Sequence, residues 1–86
     1  MKPVQTIRSG ADTQWLYRFE NGYGASLVRH PGSLGYESNL YEVAVIRWME
    51  PDAWKLCFTS PITDDVLGGL DEDEVMVVLE RIEALR

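Results

Sequence analysis

Residues 14–30, QWLYRFENGYGASLVRH, decide the fold. Trp15, Tyr17 and Phe19 alternate with Leu16, Arg18 and Glu20, the period of a strand, and aromatic side chains suit a pleated surface. Asn21-Gly22 follows, the dipeptide favoured in two-residue type I′ hairpins because both central positions need positive φ. The expected register sets Glu20 against Tyr23, Phe19 against Gly24, Arg18 against Ala25, Tyr17 against Ser26, Leu16 against Leu27 and Trp15 against Val28. Large rings opposite Gly24 and Ser26 can then lie across the partner strand. Strands are expected at about 14–20 and 24–30.

Working outward, residues 30–39 (HPGSLGYESN) read as a loop, and a third strand is expected at about 40–48 (LYEVAVIRW). Its apolar residues at both parities suit a strand covered on both faces. Residues 49–52 (MEPD) read as a four-residue loop, and a fourth strand returns at about 53–59. That loop pairs Arg47 with Trp54, Val45 with Leu56 and Val43 with Phe58, and on the other face Trp48 with Ala53, Ile46 with Lys55 and Ala44 with Cys57. Ser60-Pro61 closes the sheet, and Thr63-Asp64-Asp65 reads as the cap of a single helical turn stopped by Gly68-Gly69.

A helix is expected at about 72–85. Asp71 fits its N-cap, Glu74 the third helical position, and Leu70 and Val75 the hydrophobic staple. Val75, Val78, Leu79, Ile82 and Leu85 recur at helical spacing as one apolar stripe. The sheet face of Trp15, Tyr17, Phe19, Val43, Val45, Leu56 and Phe58 is its expected acceptor. The expected fold is a single α+β domain over 1–86: two layers, a four-stranded antiparallel β-meander packed against one C-terminal α-helix.

Composition narrows the function classes. With 45% hydrophobic and 26% charged residues among 86, usage is that of a globular chain rather than a disordered one. A chain this short has a small core and modest stability. One cysteine allows no intrachain disulfide and points to a reducing compartment. No apolar run reaches the ~18 residues of a membrane span, and MKPVQTIRSG carries no signal-peptide core, so no membrane association is expected.

The formal net charge of -6 opposes general nucleic-acid binding. Six basic and six acidic residues balance over 1–60, whereas 61–86 hold eight acids against Arg81 and Arg86. The net charge therefore resides in the last 26 residues.

Few groups could do chemistry. His30 and Cys57 are the only residues of their kinds, and no signature joins them. His30 reads as a strand-end residue and Cys57 as a half-buried strand residue. Structural zinc would need about four ligands at Cys/His spacing. Asp71–Glu74 lacks the Asp-x-Asp-x-Asp-Gly run of a calcium loop, and its acids are explained by the helix start. No phosphate-binding, dinucleotide-binding or nucleophile-elbow motif occurs. The expectation is a non-enzyme with no metal and no cofactor.

What remains is surface. The sheet face away from the helix is expected to carry Leu16, Leu27, Ala44, Ile46 and Trp48, with Arg18, Arg29 and Lys55 among them. Trp48, Ile46, Arg18 and Arg29 are the candidate partner contacts there, since Trp and Arg are enriched at binding hot spots. Alternatively, residues 1–12 or the 31–39 loop cover that face, or a second copy does. The acidic end, Asp64, Asp65, Asp71, Glu72 and Asp73, is the second candidate, its carboxylates imitating phosphates toward a basic groove. A third option is weak nucleic-acid binding through Arg18, Arg29 and Arg47 with nearby aromatics.

Over YRFENGYGASLVRHPGSLGY, LYEVAVI and SPITDDVLGGLDEDEV, the chain resembles a group of small uncharacterised proteins encoded by phages of actinobacteria and related prophages. The likeness spans roughly residues 15–85, and ENGYGAS-V-RHPGS-G with PITDDV is its specific part. Gly68-Gly69, where one bulkier residue would be expected, departs from the pattern. The resemblance carries no site residue over. It implies a phage accessory protein in a bacterial host cytoplasm, of a kind that often binds and blocks host proteins such as nucleases, CRISPR effectors or transcription proteins, with a homodimeric structural or accessory role as the alternative.

Overall fold

Alternating apolar side chains along the strands and one capped amphipathic helix combine into an α+β fold. The computed structural model describes residues 2–10, 12–29, 41–49, 53–57 and 67–85. Its strands are β1 (Gln5–Ser9), β2 (Asp12–Arg18), β3 (Tyr23–Arg29), β4 (Tyr41–Met49), β5 (Ala53–Leu56) and β6 (Leu67–Leu70), followed by α1 (Glu72–Glu83). The sheet runs β1-β2-β3-β4-β5, with β6 also paired to β4, and every pairing is antiparallel. β5 takes the C-terminal half of β4 and β6 the N-terminal half.

The class is the expected one, but among the described residues the sheet has six strands where four were expected. Residues 5–9 do not lie over a sheet face; they extend the sheet at the edge of β2, and Val4 N–H donates to Leu16 C=O. Residues 67–70 are a strand rather than the end of a helical turn. Leu67 pairs with Val43 and Leu70 with Tyr41, so three steps on β6 oppose two on β4, with Gly69 in the left-handed region at φ 69°. This is the extra residue of a bulge. The 31–39 loop, Asp64, Asp65 and Phe58 lie outside the described residues.

Both expected hairpin registers are off by one residue. Arg18 pairs with Gly24, Tyr17 with Ala25, Leu16 with Ser26 and Trp15 with Leu27. Gly22 N–H donates to Phe19 C=O and Phe19 N–H to Tyr23 C=O, so the loop is the three residues 20–22, closed by Gly22 at φ 86°. A three-residue loop ending on a left-handed glycine is the next commonest hairpin after the two-residue one.

Likewise Met49 pairs with Ala53, Trp48 with Trp54, Arg47 with Lys55 and Ile46 with Leu56, which leaves three residues, 50–52, between the strands. A one-residue slip reverses every side chain of the returning strand. Leu27, Arg29 and Lys55 therefore move to the parity of the helix-side face, and Leu56 moves to the opposite face.

The helix start is as expected. Asp71 Oδ1 accepts from Glu74 N–H at 2.8 Å, and Glu74 Oε1 accepts from Asp71 N–H at 3.2 Å, closing a capping box. Val75, Val78, Leu79 and Ile82 are buried against Tyr17, Phe19, Ala25, Leu27, Val43 and Val45, with Leu70 and Leu85 packed at the margin. The helix rests on β3, β4 and β6. Its C-terminus is tied to the first hairpin, because Asn21 Nδ2 donates to the carbonyls of Ile82 (2.9 Å), Glu83 (3.1 Å) and Leu85 (2.9 Å). Asn21 Oδ1 accepts from Tyr23 N–H. Asn21 thus serves the last helical carbonyls, which have no intrahelical donor.

Candidate functional site

On the sheet face away from α1, several side chains are buried. Leu16 and Ile46 are fully buried, and Ala44 and Ser26 nearly so. The Trp48 side chain crosses β3 at Gly24, and its indole N–H donates to Tyr17 C=O at 2.8 Å. A Cβ at residue 24 would collide with Tyr17 C=O and the Trp48 ring, so glycine is what admits the crossing. The Arg18 guanidinium stacks over the same ring, 5.1 Å from its centroid. Gln14 donates to Ser26 Oγ at 2.8 Å farther along.

Of the four residues expected to present this face to a partner, Ile46 at 0% exposure offers no surface. Trp48 and Arg18 are engaged with each other and with β2. Arg29 stands opposite Thr13 at the helix-side parity and does not join them. The face exposes Arg18 and also Leu56, which is 44% accessible beside Trp54 at a groove that also touches Val28 and Glu42.

The arginines expected to act together on nucleic acid are also divided. Arg47 lies over the Tyr23 ring at 4.9 Å on the helix-side parity, whereas Arg18 is on the other face.

At the acidic end, Asp71 and Glu74 are committed to the capping box, while Glu72 and Asp73 are exposed in the first turn. Each lines an apolar groove. α1 packs mainly on β3, β4 and β6, and Tyr17 and Trp15 of β2 pack at the side of the same core. There Trp15, Tyr17, Leu27 and Tyr41 face Glu72, Val75, Met76 and Leu79 across a groove of about 280 Å³. Trp15 and Tyr41 meet edge to face, centroids 6.1 Å apart and planes at 67°. Burial raises the Tyr17 hydroxyl above its usual pKa of 10.0, so it stays neutral.

On the other flank Leu70, Val77 and Val78 line a second groove with Asp73 and Glu74. Between the grooves Met76 is 42% and Val77 56% exposed. The sequence holds a signal for this surface: residues 75–79, VMVVL, are five apolar residues in succession. A helix resting on one sheet face buries about every third or fourth residue, so such a run leaves some apolar side chains outward.

Among the described residues, no group of three or more His, Cys, Asp or Glu side chains is placed to hold a metal ion. Cys57 is half-buried, packs at the core margin and donates its N–H to Val45 C=O, while His30 lies outside the described residues. No helix among those described is long and apolar enough to cross a membrane. No family model, curated protein or solved structure matches the chain.

Proposed function

We propose that this chain is a small acidic protein–protein interaction module that engages its partner through the outer side of α1. The observation that carries the reading is the pair Met76 and Val77, exposed between two apolar grooves within the most acidic part of the chain. Exposed apolar surface rimmed by charge is a usual mark of a docking site. The described exposed side chains of α1 include Glu72, Asp73, Glu74, Glu80 and Glu83 against Arg81, which favours a partner with a basic surface.

The likeness over ENGYGAS-V-RHPGS-G and PITDDV supplies the context: a phage accessory protein that inhibits or modulates a host protein, of the nuclease, CRISPR-effector or transcription class. Cytoplasmic action in the bacterial host belongs to the same reading. The test is affinity capture from nuclease-treated actinobacterial lysate with wild-type and Val77→Asp baits at low and high salt. One host protein should be enriched by wild type, lost with Val77→Asp and weakened by salt. Equal enrichment by both baits would overturn the reading. So would an empty capture with a clean dimer by light scattering, which would favour a homodimeric accessory role.

A further inference from the structure

We propose that the groove between β2 and the start of α1 is an ammonium-binding site that receives a lysine side chain, methylated or not, of the protein partner; this rests on the interaction reading above. Trp15 and Tyr41 wall the groove with ring planes inclined at 67°, and Tyr17 adds a third ring. Ring faces carry negative quadrupole charge and attract cations within about 6 Å, most strongly where the walls exclude water. Leu27 and Met76 offer apolar surface to a methylene stem. Glu72 supplies a carboxylate at the groove, and no cationic side chain among the described residues pairs with it.

Two magnitudes favour this occupant. At about 280 Å³ the groove accepts one side chain, since pockets for whole small molecules run from about 300 to 1,000 Å³. The N-terminus of α1 carries roughly half a positive charge, which would repel a cation. Four carboxylates, Asp71, Glu72, Asp73 and Glu74, outweigh it and leave the local field negative. The chain already pairs cations with rings elsewhere, Arg18 on Trp48 and Arg47 on Tyr23.

The test titrates the protein with choline and with its uncharged isostere 3,3-dimethyl-1-butanol, following the Trp15 indole resonances by NMR. Choline should bind about 5- to 30-fold more tightly. Glu72→Gln, at an exposed position, should reduce the affinity for choline and leave that for the alcohol unchanged. Equal binding of the two probes, or no shift at Trp15 with either, would overturn the site. The amides of Nα-acetyl-lysine and Nα-acetyl-trimethyl-lysine, each with its side-chain cation intact, form the second arm; if neither shifts Trp15 while choline does, a partner's lysine is not the occupant. A chain that captures its host protein normally yet shows no preference for choline refutes the ammonium site and leaves the interaction reading standing. A chain that prefers choline and captures no protein retains the ammonium site but overturns the partner's lysine as its occupant.

Discussion

On one face of the sheet, Val75, Val78, Leu79 and Ile82 of α1 bury Ala25, Leu27, Val43 and Val45 with ordinary aliphatic packing. On the other, Leu16 and Ile46 are just as completely buried, and one large ring, Trp48, lies across β3 to reach β2. On that face the crossing of the indole requires a glycine at residue 24, and Arg18, itself exposed, stacks on the ring. The helix buries its inner stripe and leaves Met76 and Val77 outward. Trp48 and Arg18, hot-spot residues by type, thus make contacts within the fold, while two aliphatics of the helix stand exposed.

The largest effect expected is at the helix-covered face. Ile82→Ala should cost about 3–4 kcal/mol, the usual range for truncating a buried aliphatic, read from urea denaturation. Gly24→Ala tests the other face: the added methyl meets Tyr17 C=O and the Trp48 ring, and the expected cost is about 2–3 kcal/mol with displacement of the indole. If Gly24→Ala proves neutral, the ring does not need a glycine to cross β3 and the contrast fails. Asn21→Ala, which removes the donors to the helix C-terminus, should cost about 1–2 kcal/mol and increase hydrogen exchange in the last turn of α1.

A smaller effect is set by pH. The Tyr17 pKa is raised by burial, so its neutral form is favoured in the folded state. That contribution is complete below the unfolded value near 10 and is lost as pH rises through 10 toward the folded value. Tyr17→Phe should therefore flatten the decline in stability above about pH 10, seen as a smaller difference in melting temperature between pH 9 and pH 11.

The sequence made β2, β4 and α1 legible because each carries its own period: aromatics at 15, 17 and 19, a β-branched run at 41–49, and the capped stripe from Asp71. The returning strands were misplaced by one residue because their register depends on loop geometry. In the first hairpin, Asn21 is drawn to the end of a helix 61 residues away, a demand no local pattern records. β1 and β6 are a short edge strand and a glycine-interrupted one, so neither has a strong period of its own. Of the candidate sites, the exposed acids Glu72 and Asp73 were legible from the helix start. The groove at Trp15 and Tyr41 was not, because it forms only where side chains of β2, β3, β4 and α1 come together in the fold.

Two exposed aliphatics on opposite sides of the molecule, Val77 at 56% and Leu56 at 44%, allow the most direct test of the claim that the helix and not the far sheet face binds. Changing either to Asp should alter stability by no more than about 0.5 kcal/mol. The measurement is affinity capture with Val77→Asp and Leu56→Asp baits side by side, each first shown to fold by circular dichroism. The account predicts that Val77→Asp loses the host protein while Leu56→Asp keeps it. Loss with Leu56→Asp and retention with Val77→Asp would contradict it and return the binding site to the face that Trp48 crosses.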